Sequence, residues 1–523
     1  NTMKRFLFIE VSNSIAIGTI IASLAILSSC ENKEDASLLL ESEEVETNSH
    51  VISVERALLS LQDFLDASQE EKTRTVMNDR KISDVFAVEY KTLTTRAVSA
   101  PNLDCKDLVY VANFEDNQGF AVLAADDRIA DEVMAVTSDG SLSRETIYSA
   151  MEDIFSNERP VVEDFPLTGE GFFTVDEYPD EIFMNPNTVS LYDEKLGDDL
   201  VGNFSLDNTG AEDENGNPIL TRSLCENPDD HPGRIVSSLC LSYAIDRIDS
   251  YGGGGGGSGS GSTKTETSTT AWSNVKVVAP ILSKYVSWRQ ESPFNDLYPR
   301  RRRYLLFGHR KKAPAGCFPL AISKIMTHFE YPNSFTYNGY RVNWSALKNG
   351  YTSTTGAQSA AALLRAVSAG CDSWYFYAGT FTFPGKATSY MKFAGYDNAR
   401  SYNYKYSRVV GMLDKGCPLI VYAIPGINIF RSHSWNIDGY KIKAREIITK
   451  KYVGGVLKEV INKPDTCEMV HCDFGWKGLC NGYYVSGIFK LNSSDVEFDN
   501  PYDKGKNTKY NTLVKIVTYD KPR

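Results

Sequence analysis

The chain has 523 residues, long for a single hydrophobic core, so two or three folded units are expected. Its net charge of −12 conceals a split: residues 264–523 hold 37 Lys+Arg and 18 Asp+Glu, a net of +19, while the first 263 hold 18 and 49, a net of −31. Apart from Arg300 to Arg303 the basic residues are scattered, and no nucleic-acid module signature accompanies them. No nucleic-acid partner is expected; the charge split favours docking of one half on the other.

At the N-terminus, Lys4 and Arg5 precede the apolar run SIAIGTIIASLAIL, which ends at Leu27-Ser28-Ser29-Cys30. The run is short for a membrane span, and small residues lead directly to a cysteine. Residues 3–30 therefore resemble a bacterial lipoprotein signal with Cys30 as the lipidated residue. An exported lipoprotein of the outer membrane is expected, facing the periplasm or the cell surface until proteolysis releases it. Residues 31–49 then form an acidic tether.

Residues 50–142 read as a small α+β unit. Val54, Leu58, Leu61 and Leu65 recur at helical spacing, and DLVYVANF and GFAVLAADD form two strands around the turn-like EDNQG. Residues 143–265 are an acidic connector with no assigned fold, and Gly252 to Ser262 are a flexible Gly/Ser linker within it. Proteolysis is expected to fall in this exposed stretch. From 266 to 523 the chain is aromatic and strand-rich. Ala279–Trp288 and AAALLRAVSAG predict helices; LIVYAI, SWNIDGY, EMVHCDFGW, YYVSGIFKL and VKIVTY predict strands. A helix followed by an antiparallel sheet gives an α+β domain.

There are ten cysteines. Cys467, Cys472 and Cys480 lie near His471, but their spacing fits no zinc pattern, so no metal and no cofactor is expected. A Cys472–Cys480 bridge across a hairpin is one conceivable pairing. Cys317 differs from the others. Gly316 permits a tight entry into a helix, Pro319 suits its first turn, and Ala321, Ile325 and Phe329 form an inward stripe. A cysteine at a helix N-terminus gains the dipole and free N–H groups that favour a thiolate. On these residues alone, a buried, inert cysteine is the favoured reading of the same stretch.

A thiolate nucleophile needs a general base, and there are six histidines. His50 and His231 lie in the acidic half, His309 adjoins a basic loop, and His328 lies eleven residues along the helix from Cys317. His433 and His471, both in strand-like stretches, remain. Alternation groups His433 with Trp435 and Ile437, and His471 with Asp473. A histidine on one strand and an acid on the next can orient an imidazole beside a cysteine; two core histidines satisfied within the sheet would look the same.

Four motifs carry a resemblance. WRQESPFN, AGCFPLAISKIMTHFEYP, SHSWNIDGY and VHCDFGWKG stand in the order of the streptopain family of cysteine peptidases, with VNWSAL between them. The resemblance spans residues 272–523, and residues 50–142 resemble that family's inhibitory prosegment more loosely. It implies a papain-like domain, with the nucleophile helix packed on an antiparallel sheet, preceded by a small α+β prodomain. It also implies Cys317 as nucleophile, His433 as general base, Gln290 as oxyanion donor and Asp473 as the residue that orients the histidine. Gly316, Phe474 and Trp476 would line the substrate site.

The sequence departs from the family at three places. Asp473 replaces an asparagine, Phe474 a tryptophan, and Arg431-Ser432 stand where glycines are common. The implied function is a cysteine endopeptidase made as a zymogen, acting on proteins and peptides and held latent by its own prodomain. The departures motivate a second reading, an impaired, peptidase-like lipoprotein used in binding or adhesion; a cell-wall peptide amidase or transferase with the same residues is a third.

Overall fold

The computed structural model describes residues 50–66, 80–91, 103–155, 231–251, 263–302, 310–377, 379–424, 432–490 and 513–522. Cys30, the acidic tether, the Gly/Ser linker and Arg431 lie outside these residues. No helix among the described residues is long and apolar enough to cross a membrane.

The N-terminal unit begins with helix α1 (Val54–Asp66), whose buried face is Ala57, Leu61, Phe64 and Leu65. Strands β1 (Ile82–Glu89), β2 (Asp107–Phe114), β3 (Phe120–Ala124) and β4 (Val133–Thr137) form an antiparallel meander, with the expected β2–β3 hairpin. Helix α2 (Arg144–Phe155) and helix α3 (His231–Tyr251) pack together. Both fall in the connector to which the sequence assigned no fold. Residues 232–245 of α3 are buried on every side, with Ser237, Ser238 and Ser242 among the apolar residues. A helix without a polar face shows no 3.6-residue period to read.

The C-terminal unit opens with β5 (Thr263–Thr269) and β6 (Ser273–Val278), so β5 straddles the expected boundary at residue 266. Helix α4 (Cys317–Phe329) is the cysteine helix, and α5 (Thr354–Gly370) is the helix expected at AAALLRAVSAG. Strands β7 (Arg400–Asn403), β8 (Leu419–Ile424), β9 (His433–Val453), β10 (Val456–Asp473), β11 (Gly482–Val485) and β12 (Leu513–Thr518) complete a 12-stranded sheet. Its order is β1-β2-β3-β4-β11-β10-β9-β8-β12-β7, with β5 and β6 on the outer part of β9. The N-terminal sheet therefore continues into the C-terminal sheet through β4 and β11, in the register Val136↔Tyr483.

Two expected elements are corrected. Ala279–Trp288 forms turns and a single 3-10 turn, Ser283–Tyr285, instead of an α-helix. The Asp438 backbone accepts from Ile281 N–H and its carboxylate from Leu282 N–H, both at 2.8 Å, so those donors are bound to β9. Gly439 lets the segment approach closely: a Cβ there would lie 2.8 Å from the Val278 carbonyl oxygen. YYVSGIFKL is a strand only to Val485 and then turns as a 3-10 helix over Ser486–Phe489.

Candidate active site

Gly316 caps α4 with φ +88, a backbone region that glycine enters without strain. Its position is tightly built, since a Cβ would lie 3.1 Å from the Thr380 side chain. Gly316 N–H donates to Gln290 Oε1 at 3.0 Å, and Ala315 N–H donates to the Gln290 carbonyl at 2.8 Å. With Oε1 fixed by a donor, the Gln290 amide presents its N–H₂ away from Gly316. Gln290 thus stands one residue from the start of the cysteine helix, held there by both its backbone and its side chain.

Cys317 is half-buried at the first position of α4. Burial pushes its thiol pKa up; the Ser434 hydroxyl and backbone N–H and the N–H groups of Cys317 and Phe318 pull the other way. The Ser434 hydroxyl makes no well-aligned hydrogen bond, so its influence is that of a nearby dipole. His433, the residue before Ser434, opens β9. Its Nε2 lies 3.1 Å from the Phe474 carbonyl oxygen, and because a carbonyl only accepts, Nε2 carries a hydrogen. The ring stacks with Trp435 and Phe474, centroids 6.1 Å away in each case, and Trp476 stands at 6.2 Å.

Asp473 ends β10, fully buried. One oxygen accepts from Lys324 Nζ at 2.7 Å; the other accepts from Gly475 N–H and Asn481 Nδ2, each at 3.1 Å. The residue expected to orient the histidine is thus bonded to the cysteine helix. His471, the other candidate base, is paired with Asp438 at 2.6 Å, and Asp438 also binds Leu282. Alternation groups His471 with Asp473 and does not single out Asp438; the His471–Asp438 pair fastens the 281–282 segment to the sheet.

The structure brings Cys317, Gly316 and Gln290 together at the helix entry, and His433, Phe474 and Trp476 into one aromatic cluster beside it. Four residues escaped sequence reasoning: Ser434, Asn436, Asn481 and Lys324. Lys324 left a signal, since it is the only Lys, Arg, Asp or Glu within CFPLAISKIMTHF. Cys472 and Cys480 are free thiols, so the conceivable bridge between them is absent. A grouping of His50 with Asp126 and Asp127 lies in the N-terminal unit, where Arg128 already neutralises Asp126 at 2.6 Å.

Compared with known families, residues 288–484 match the Peptidase C10 family and residues 49–160 match the Spi protease inhibitor. The molecule is a cysteine protease made as a zymogen, with an α+β catalytic domain preceded by an inhibitory prosegment. Its catalytic domain belongs to Peptidase C10, the streptopain family, and its prosegment is a Spi inhibitor domain. The comparison with curated proteins finds no match. Among solved structures, a prointerpain A fragment from Prevotella intermedia is similar at 14% identity and a TM-score of 0.40, covering 84% of this chain and 100% of that one. Active interpain A of the same organism is similar at 18% identity and a TM-score of 0.31, covering 47% and 97%.

Proposed function

We propose that Cys317 and His433 carry the peptidase reaction, in an enzyme exported as a lipoprotein through Cys30. The observation that carries this reading is the convergence on one helix entry: Gln290 bonds to the residue before Cys317, and Ser434, the residue after His433, is among the groups that act electrostatically on the Cys317 thiol. In the reaction, the Cys317 thiolate attacks the substrate carbonyl. The oxyanion that forms is met by the Gln290 side-chain amide and the Cys317 N–H, donors placed before the charge develops. His433 gives its proton to the departing amine, a thioester remains on Cys317, and water hydrolyses it with His433 as base. Asp473 holds the Phe474–Gly475 backbone against which the His433 ring rests, while Phe474 and Trp476 wall the cluster.

The apolar run ending at Cys30 supports export and lipid anchoring at the outer membrane, and the acidic tether supports display away from it. Cleavage in or near residues 252–262 would separate prosegment from catalytic domain. A peptidyl epoxide probe applied to matured enzyme tests the site: Cys317 is labelled in wild type, and Cys317→Ala takes no label. Labelling that maps to another cysteine would defeat the assignment. Metabolic labelling with an alkynyl fatty acid tests the anchor, which is lost if Cys30→Ala still incorporates the lipid.

A further inference from the structure

We propose that Lys324 is a positioning residue of this site, supplied by the nucleophile's own helix and acting on His433 through Asp473. The inference rests on the reading of Cys317 and His433 above and goes beyond the four residues that the motifs imply.

Lys324 lies seven residues, nearly two helical turns, after Cys317, so both face the same side of α4. That side meets the sheet at three levels. The Ser434 dipole acts on the Cys317 thiol, Ala321 O accepts from Asn436 Nδ2 at 3.3 Å, and Lys324 Nζ bonds Asp473 at 2.7 Å. Only the last contact is charged, and both partners are 1% exposed. At such burial neither charge is tolerated without the other, which makes this the contact that fixes where the helix sits.

From Asp473 the connection continues to the histidine. Asn481 donates from Nδ2 to the Asp473 oxygen at 3.1 Å, and its own Oδ1 accepts from Phe474 N–H at 2.9 Å. Gly475 N–H is held by the same carboxylate at 3.1 Å. The peptides on either side of Phe474 are therefore pinned, and the Phe474 carbonyl is the group 3.1 Å from His433 Nε2. An asparagine at position 473 would not need Lys324; a carboxylate buried here does. The pair thus lets an acid serve at position 473 while its charge is spent on the nucleophile helix instead of on the imidazole.

The test compares matured Lys324→Gln, Asp473→Asn and the double variant with wild type. Rates are expressed per Cys317 thiol titrated by the epoxide probe, with kcat, KM and the pH profile of kcat/KM measured. Each single variant is expected to lose about tenfold or more in kcat at unchanged KM, because a small displacement of the reacting groups is enough. The double variant, which keeps a side-chain hydrogen bond without a buried charge, recovers most of that loss. Single variants with wild-type kcat per titrated thiol and only a lower Tm would overturn the proposal, as would a double variant as slow as the slower single. If a single variant does not fold, the double variant decides alone: rapid turnover supports the pair and a tenfold deficit overturns it. Wild-type enzyme that takes no label at Cys317 would remove the underlying reading, a failure separate from any difference among the variants.

Discussion

At the scale of the residue, the Cys317 thiol is governed by two opposing effects. Burial disfavours the thiolate, whereas the Ser434 hydroxyl and the helix-entry N–H groups favour it. Ser434→Ala keeps the backbone N–H and removes the hydroxyl, so the thiol pKa moves further up. The pH dependence of Cys317 alkylation should then shift to higher pH; an unchanged profile would show that the hydroxyl has no electrostatic role. If Gln290 is the proposed oxyanion donor, Gln290→Ala should cost roughly 100- to 1000-fold in kcat with Cys317 still alkylated. His433→Ala should abolish turnover while leaving the fold intact by circular dichroism. Cys317, Gln290 and His433 could be nominated from the sequence because their motifs are local, as Gly316, Cys317 and Pro319 are neighbours in sequence as well as in space, whereas nothing in the sequence singled out Ser434. Lys324 was visible as an odd charge in an apolar helix, but its partner lies 149 residues away, and nothing local points to it.

At the scale of the element, β11 has two different neighbours. On one side it pairs with β10, next to Asp473; on the other it pairs with prodomain strand β4. Asn481, just before β11, accepts from Ser138 N–H at 2.8 Å, and Cys480 N–H donates to the Asp139 carbonyl at 3.1 Å. Gly482 permits this approach, since a Cβ there would fall 2.4 Å from the Val136 carbonyl oxygen and 2.5 Å from Thr137 Cα. Both are backbone atoms that cannot swing aside. Gly482→Ala should therefore lower the Tm of the full-length Cys317→Ala protein and speed maturation of the Cys317 protein. Equal maturation rates would show that β4–β11 pairing does not restrain the zymogen. Strand types were readable from composition and alternation, because each side chain reports its own face. The exceptions have physical reasons: Ala279–Trp288 loses its helix to the Asp438 acceptors, and residues 232–245 of α3 are buried all round, so that stretch has no polar face to announce it.

At the scale of the molecule, the charge split suggested two halves joined by ion pairs. Among the described ion pairs, Glu132–Arg445 at 3.1 Å crosses between the units, with Asp465 sharing the guanidinium at 2.8 Å. Strand pairing and buried contacts supply the rest. Lys443 on β9 is fully buried, donates to the Phe64 carbonyl of α1 at 2.6 Å and lies 3.8 Å from that ring's centroid. Burial first, then Lys441, pushes its pKa down to about 7, while Cys467 opposite it on β10 pulls slightly the other way. The unfolded chain, with an ordinary lysine near pKa ~10.4, binds more protons than the folded zymogen between these values. The contribution to stability therefore rises with pH from about 7 upward, by at most about 1.4 kcal/mol per pH unit. In full-length Cys317→Ala, the urea midpoint should climb less between pH 7 and 9 once Lys443→Met is added. Parallel slopes would rule Lys443 out as the titrating group.

Composition and residues a few positions apart were enough for the class of fold, the order of the chemical groups, the Gly-Cys helix entry and the acidic N-terminal half. Which acid meets which base depends on long-range packing. Spacing fixes the face on which Asp438, His471, Asp473 and Lys324 project, but strand order and helix placement choose their partners. Asp438 therefore binds His471, and Asp473, the expected orienter of His433, is committed to the helix that carries Cys317.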